Sequence, residues 1–245
     1  MIQLTIVFAS VSFLLIASIT GVTAQNQRSS DEVMKLLVAG NERFAEGKPT
    51  YPHEGAVRRA EASLGQHPMA TIISCSDSRV PPELLFDEGI GDLFIVRVIG
   101  NIGGADEAGS AEYGVEHLGT RLLVVLGHSQ CGAVTAAVNH SELHGNIPPL
   151  IAHIAPAVKA ARRANPKLKG EALIPEAIKA NVFQSIEEIF TRSSAIRART
   201  REGTLKVVGA VYDIKSGRVN WLGTHTKQDT LISRKATGAR SGKKH

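Results

Sequence analysis

The sequence contains two cysteines, and a histidine precedes the second of them by three residues. Cys75 begins the segment Cys-Ser-Asp-Ser-Arg, and His128 begins the segment His-Ser-Gln-Cys that ends at Cys131. Two thiolates and one imidazole are a donor set of catalytic zinc sites, in which three protein ligands leave one position open for water. The residue types and spacing therefore indicate an open zinc centre formed by these three side chains.

A carboxylate and a guanidinium follow the first cysteine. Asp77 lies two residues after Cys75, and Arg79 lies four residues after it. An arginine can bind a carboxylate through two parallel hydrogen bonds. Such a pair would hold Asp77 away from the metal and leave the water position open, so we expect both residues to act in catalysis. The alternative is a loop salt bridge with no role in the reaction.

The N-terminal segment offers another interpretation of the cysteines. Residues 1–27 contain no charged side chain and are mostly apolar as far as residue 19. The pattern is typical of a signal peptide over residues 1–24, with an uncleaved membrane anchor as the alternative. Both predict an exported protein, periplasmic or extracellular, in which two cysteines could form a disulfide. The neighbouring histidine, aspartate and arginine favour zinc, because a disulfide needs none of them.

The length and composition fit one globular domain. The chain has 245 residues, of which 43% are hydrophobic, and this is enough to bury one substantial core. The net charge is +5 and aromatic residues make up 4%, so we do not expect the aromatic, basic surface of a nucleic-acid-binding protein. Because the final residues are basic, we expect residues 25–226 to form the domain and residues 227–245 a disordered tail.

The order of predicted elements indicates an α/β fold. Five short apolar runs predict strands at residues 69–73, 93–98, 121–126, 205–213 and 218–223. Helical patterns separate the first four runs, and a short turn joins the last two. We therefore expect a mainly parallel sheet with an antiparallel edge strand, flanked by helices. Since ligands bind at the carboxyl ends of parallel strands, Cys75 and His128 should meet at that edge of the sheet.

Around these positions the sequence resembles the β-class carbonic anhydrases, with an active site like that of the plant-type members. Four segments carry the resemblance: residues 75–80, 91–101, 110–113 and 127–133. The similarity extends over about residues 31–223. It implies the α/β fold of that family and an enzyme that forms a homodimer or a homotetramer. Contact with a membrane is expected only through an uncleaved N-terminal segment.

The resemblance also implies a reaction. It predicts the zinc-dependent, reversible hydration of carbon dioxide to bicarbonate and a proton by a zinc-bound hydroxide, with one Zn²⁺ per chain. The zinc ligands would be Cys75, His128 and Cys131. Asp77 and Arg79 match the family's catalytic dyad, in which the carboxylate orients the hydroxide.

Substrate-binding positions are implied in the same way, at Gln66, Phe94, Ile99, Gly104 and Tyr113. The glutamine would donate a hydrogen bond to the substrate. Phe94, Ile99 and Tyr113 would line a small apolar pocket, which in the family often spans a subunit interface, and Gly104 would let the backbone approach the substrate. For Phe94 and Ile99, ordinary core packing is the alternative.

Other functions compete with this one. Hydrolysis of carbon disulfide or carbonyl sulfide could use the same fold and a similar metal site. A non-enzymatic, zinc-binding exported protein would have no use for Gln66, Asp77 and Arg79. A thiol redox protein would ordinarily contain a Cys-x-x-Cys motif, and the sequence has none.

Overall fold

The computed structural model describes residues 28–233. The predicted signal peptide or anchor and the last twelve residues lie outside the described residues. The chain forms an α/β fold around five strands, which are β1 (Ala70–Ser74), β2 (Leu93–Arg97), β3 (Leu122–His128), β4 (Lys206–Tyr212) and β5 (Val219–Gly223). Among the described residues, no helix is both long enough and apolar enough to span a membrane.

The strands lie in the order β2-β1-β3-β4-β5. The first four are mutually parallel, and β5 runs antiparallel to β4. The predicted fold class is therefore confirmed. Ser74 at the end of β1 pairs with Leu126 of β3, so the residues that follow β1 emerge beside the last residues of β3. This register places the two halves of the candidate site at one edge.

Helices cover both faces of the sheet. In chain order they are α1 (Ser30–Ala45), α2 (Gly55–Ala62), α3 (Pro82–Leu85), α4 (Ala105–Glu112), α5 (Gly132–Asn139), α6 (Ile147–Ala152), α7 (Ala155–Ala164), α8 (Ile174–Arg192), α9 (Ser194–Arg201) and α10 (Gln228–Ser233). Helix α1 begins with a capping box, in which Ser29 and Glu32 each satisfy a backbone N–H of the other. Helix α9 is capped by the preceding Ser193, whose hydroxyl accepts the N–H of Ile196.

Three groups of buried side chains make up the core. Helix α1 and Phe86 pack on one face of the sheet, and helix α8 packs on the other face. The third group lies at the carboxyl edge, where both cysteines pack against Ile102, Ile154 and Ile178. The candidate site is therefore part of the folded core and not of a surface loop.

The end of the domain differs from the boundary predicted at residue 226. Residues 228–233 form α10, and Leu231 is only 1% exposed in the apolar core beneath α8. Arg201 of α9 also donates to the carbonyl of Ile232 at 3.0 Å. The folded part thus includes residues that we assigned to the tail. The prediction relied on the basic residues further along the chain and overlooked Leu231 and Ile232, two adjacent apolar side chains that pack into the core.

Candidate metal centre

Three potential metal donors meet at the carboxyl edge of the sheet. Cys75 directly follows β1, His128 is the last residue of β3, and Cys131 immediately precedes α5. Their donor atoms all lie within 4.8 Å of one another, and all three side chains are buried. Both cysteines are free, so the structure contains no disulfide between them. The three predicted ligands are brought together although 53 residues separate the first two.

The histidine has one ring nitrogen in use and one available. His128 Nδ1 lies 2.9 Å from the carbonyl oxygen of Ser129, so this nitrogen donates and carries the proton. The opposite nitrogen, Nε2, is fully buried and has no hydrogen-bond partner among the described residues. A neutral imidazole oriented by such a second contact is the usual form of a histidine ligand. The residues present therefore fit a metal ion.

The two thiols influence each other's ionisation. The hydrogen bond from Cys131, assisted by the N–H of Gly100 at 3.3 Å from the sulfur, lowers the pKa of Cys75 to about 4. The same contact with Cys75, together with burial, raises the pKa of Cys131. Two adjacent buried thiolates repel each other unless a cation lies between them. Loss of the second proton is therefore disfavoured without a positive ion, as expected of a metal site.

The predicted dyad forms beside the three donors. Arg79 donates to both carboxylate oxygens of Asp77, with Nε 2.9 Å from Oδ1 and Nη2 2.7 Å from Oδ2. These hydrogen bonds lower the pKa of Asp77 far below its usual range. Oδ2 lies 3.9 Å from His128 Nε2. The arginine thus keeps the carboxylate ionised and restrains it next to the donor cluster.

Two of the five predicted substrate-binding residues lie near this edge. Ile99 directly precedes Gly100, whose N–H contacts the Cys75 sulfur, and its side chain is 40% exposed. The exposure argues against the core-packing alternative for this residue. Gly104 is buried at the start of α4, where an added Cβ would lie 2.4 Å from Glu107 Oε2. Both positions belong to the loop that runs past the cysteine.

The other three lie at the opposite end of the sheet. Gln66 is exposed and precedes β1, whereas Cys75 follows it. Five strand residues alone span roughly 16 Å at about 3.3 Å per residue, so Gln66 cannot reach the donor cluster of its own chain. Phe94 pairs with Thr71 near the start of its strand, and its ring centroid lies 5.9 Å from that of Tyr113. Of the five predicted substrate-binding positions, the described chain thus holds two near the donor cluster and three away from it.

Comparison with known proteins identifies the family. A family model described as carbonic anhydrase matches residues 70–219, which contain all three donors and the dyad. The chain belongs to the β-carbonic anhydrases. Within this family it is 39% identical over 188 residues to carbonic anhydrase 2 of Mycobacterium tuberculosis, a match that covers 75% of this chain and 88% of that protein. A carbonic anhydrase of Pseudomonas aeruginosa is 35% identical over 197 residues, with 77% and 87% covered.

Solved β-carbonic anhydrases share the fold. The structure of the β-carbonic anhydrase CcaA superposes with a TM-score of 0.62 and 28% identity, covering 78% of this chain and all of that one. One of two tetrameric β-carbonic anhydrases from Sordaria macrospora gives a TM-score of 0.63 at 26% identity, covering 79% of this chain and 98% of that one. These matches extend the family likeness from sequence to three-dimensional structure.

Arg97 is a residue of this β-carbonic anhydrase site that the motifs did not reveal. It ends β2 and pairs with Ser74, and its guanidinium donates to the carbonyls of Cys75 at 3.1 Å and Asp77 at 2.7 Å. It thus holds the backbone that carries the first ligand and the dyad. Its position in the sequence could have indicated this role. An arginine at the end of a strand that pairs in parallel with β1 must lie next to the loop that follows β1.

Proposed function

We propose that this protein catalyses the reversible hydration of carbon dioxide to bicarbonate and a proton, with one Zn²⁺ held by Cys75, His128 and Cys131. The observation that carries the proposal is the donor cluster: two free thiols and an unpartnered imidazole nitrogen lie within 4.8 Å of one another in a buried site. This set has the composition of an open, catalytic zinc centre. Membership of the carbonic anhydrase family supplies the reaction.

The chain's own residues prepare the site for the ion. Zinc held by three protein ligands lowers the pKa of a bound water toward about 7, which supplies a nucleophile at neutral pH. Cys75 and Cys131 balance the charge of the cation once both are thiolates. His128 directs Nε2 at the ion, because its Nδ1–H is held by the carbonyl of Ser129.

Asp77 provides the hydrogen-bond acceptor that orients the nucleophile in the proposed mechanism. Its low pKa keeps it ionised at neutral pH, so it can accept a hydrogen bond from the attacking water and orient a lone pair toward carbon. Arg79 occupies both carboxylate oxygens. This contact restrains Asp77 from becoming a fourth ligand. The dyad therefore acts on the nucleophile without closing the site.

The substrate side of the site requires more than one chain. Carbon dioxide is small and apolar, and Ile99 offers it a partly exposed apolar surface beside the donor cluster. We infer that a second copy of the chain supplies Gln66, Phe94 and Tyr113, since their own chain holds them at the far end of the sheet. Tyr113 is 47% exposed, stacks on the exposed ring of His117 and makes a tilted contact with the half-buried ring of Phe94. A homodimer or a homotetramer is thus the proposed working form, and a Sordaria macrospora relative is described as tetrameric.

The proposed setting is outside the cytoplasm. The uncharged, largely apolar residues 1–27 support export through a signal peptide or an anchor. Bound zinc would protect both thiols from forming a disulfide in an oxidising compartment. The same enzyme could then interconvert carbon dioxide and bicarbonate at the cell exterior.

The deciding experiment measures zinc content and stopped-flow hydration of carbon dioxide on the full chain. We expect about one zinc per chain, loss of activity on removal of the metal and recovery when zinc is returned. Carbonyl sulfide and carbon disulfide are assayed on the same preparation. Full activity in the metal-free protein would overturn the mechanism. Turnover of a sulfur substrate without hydration of carbon dioxide would overturn the proposed substrate.

A further inference from the structure

A buried amide on helix α8 lies behind the first cysteine. Asn181 is 1% exposed, and its side chain lies among the apolar residues of a helix that covers the sheet. Its Nδ2 donates to the carbonyl of Gly100 at 2.8 Å. Its Oδ1 has no hydrogen-bond partner among the described residues. Burying an amide among apolar side chains is unfavourable, so the hydrogen bond from its Nδ2 indicates a role for Asn181 beyond filling space.

Gly100 connects this amide to the metal centre. While its carbonyl accepts from Asn181, its N–H donates to Cys75 Sγ at 3.3 Å. The residue has a φ of 72°, and an added Cβ would lie 2.6 Å from Ile154 Cδ1. Glycine is therefore required here. A glycine lacks the steric limits that fix other residues, so the direction of its N–H depends on contacts made by its neighbours.

We propose that Asn181 is a positioning residue that directs the Gly100 N–H at the sulfur of Cys75 and thereby tunes this ligand for the metal. The inference rests on the proposed zinc centre. The series of contacts runs from Asn181 Nδ2–H to the Gly100 carbonyl and from the Gly100 N–H to Cys75. Both bonds are made by Gly100, so the first holds in place the residue whose N–H makes the second. Anchoring on α8, a helix of nineteen residues packed on the sheet, gives the loop after β2 a rigid support.

The chemical consequence lies in the sulfur. A hydrogen bond to a thiolate withdraws electron density, so its loss should make the sulfur a stronger electron donor. The same loss should leave the loop that holds Cys75 less restrained, and this should let the metal dissociate faster. Removing a group that hydrogen-bonds to a metal ligand typically changes metal affinity or activity by about 10–100-fold. We expect Asn181→Leu, which keeps the approximate size and removes the donor, to accelerate metal dissociation by about 10-fold or more.

The competing explanation is that Asn181 only fills space. Ser185 provides a matched control, because it lies one turn later on the same helix, is 1% exposed, and bonds only to the carbonyl of Asn181 within that helix. Ser185→Ala removes a buried polar group from α8 without altering a contact to the loop. A packing role predicts similar behaviour for the two variants, whereas a positioning role separates them.

The test uses the full chain loaded with Co²⁺, whose thiolate-to-metal charge-transfer band reports on the sulfurs. In Asn181→Leu we expect the band to move to longer wavelength and Co²⁺ to transfer to a chelator about 10-fold faster, while Ser185→Ala matches wild type in both. If the leucine variant is insoluble, Asn181→Ala takes its place. An unchanged band and transfer rate in a folded variant would overturn the inference. Failure of the wild-type chain to bind metal would instead overturn the proposed function.

Discussion

The two ends of the parallel strands differ in what a single chain completes. At the carboxyl end, Cys75, His128 and Cys131 are buried together, and every donor comes from the same chain. At the amino end, Gln66 and Tyr113 are exposed and face no partner side chain of the metal centre. The difference teaches that metal binding and substrate binding have different requirements. One folded chain brings together the metal donors, while we propose that substrate binding uses residues of a neighbouring copy.

The chain also contains two carboxylate–arginine pairs, Asp77 with Arg79 and Asp87 with Arg43, and these pairs have different environments. Asp87 is completely buried, and besides Arg43 it accepts the backbone N–H groups of Thr50 and Tyr51. Asp77 keeps 18% of its side-chain surface exposed, and one of its oxygens faces the donor cluster. Asp87 joins the segment that follows α1 to the segment between α3 and β2. Asp77 remains accessible to a small molecule at the site.

The largest expected effect comes from breaking the donor set at the carboxyl end. Cys131→Ser replaces a thiolate with a hydroxyl that does not ionise at neutral pH, so zinc affinity should fall steeply and hydration activity by about 1,000-fold or more. Bound zinc is measured by atomic absorption and activity by stopped flow. Because the centre is built within one chain, the dimer should persist in sedimentation. A variant that retained one tightly bound zinc would show that Cys131 is not a ligand.

The second effect compares the two carboxylates directly. Asp77→Asn keeps the size of the side chain but removes the negative charge that accepts a hydrogen bond from the nucleophile. We therefore expect kcat/KM to fall about 100-fold while zinc stays bound. Asp87→Asn, the matched variant of the other pair, should retain most of the rate per folded molecule. It should instead lower the free energy of unfolding by about 2–4 kcal/mol, because Arg43 loses its buried partner. If Asp87→Asn instead lost the rate and Asp77→Asn lost only stability, the proposed catalytic role of Asp77 and structural role of Asp87 would be wrong.

A third, smaller effect tests whether the amino end of one chain serves the site of another. Gln66→Ala should leave zinc content unchanged and lower kcat/KM by roughly 10-fold or more, because a hydrogen-bond donor to the substrate is lost. Ser63→Ala is the control, since this exposed hydroxyl bonds only to Ala60 within its own helix turn.

Mixing two variants of reduced activity sharpens the third test. Chains carrying Gln66→Ala and chains carrying Asp77→Asn are combined and allowed to exchange subunits. If residues from two copies form each site, some mixed dimers contain one site with both native residues, and activity should rise above that of either variant. Activity equal to the average of the two parents would contradict a shared site.

The smallest effect on catalysis is expected at Glu88, near the amino end. Burial, and then repulsion by Asp92 and Asp87, raises the pKa of Glu88 from 4.5 to about 7. Arg43 and Arg28 oppose this change. The folded chain therefore holds a proton that the unfolded chain has lost, and stability falls as the pH rises between about 4.5 and 7. Above about pH 7 the full destabilisation is present.

Replacing this carboxyl removes the pH-dependent penalty. Glu88→Gln should raise the free energy of unfolding by about 1–3 kcal/mol near pH 8, and the gain should vanish near pH 4. Urea unfolding at both pH values measures it. Glu83→Gln, at an exposed position of α3, should have little effect at either pH, and neither substitution should alter bound zinc. Equal stability of wild type and Glu88→Gln near pH 8 would refute the assigned burial cost.

Much of the fold could be predicted because the relevant signals are local. Apolar runs of strand length separated by helical patterns indicated the parallel sheet, and the capping box at Ser29 marked the start of the first helix. The end of the domain was missed at Leu231 because this residue is buried against side chains that lie far from it in the sequence. The basic residues near the end of the chain give no information about such packing.

The sequence by itself determined which side chains could bind a metal and which carboxylate accompanies them, because residue type fixes donor chemistry and Asp77 and Arg79 are too close along the chain to separate. Only the tertiary structure decided the rest. Strand register brought Cys75 beside His128, and it placed Gln66 roughly 16 Å away at the other end of β1. Folding also joined Asn181 to Gly100 across 81 residues. Such relations depend on the three-dimensional path of the chain, which no local spacing contains.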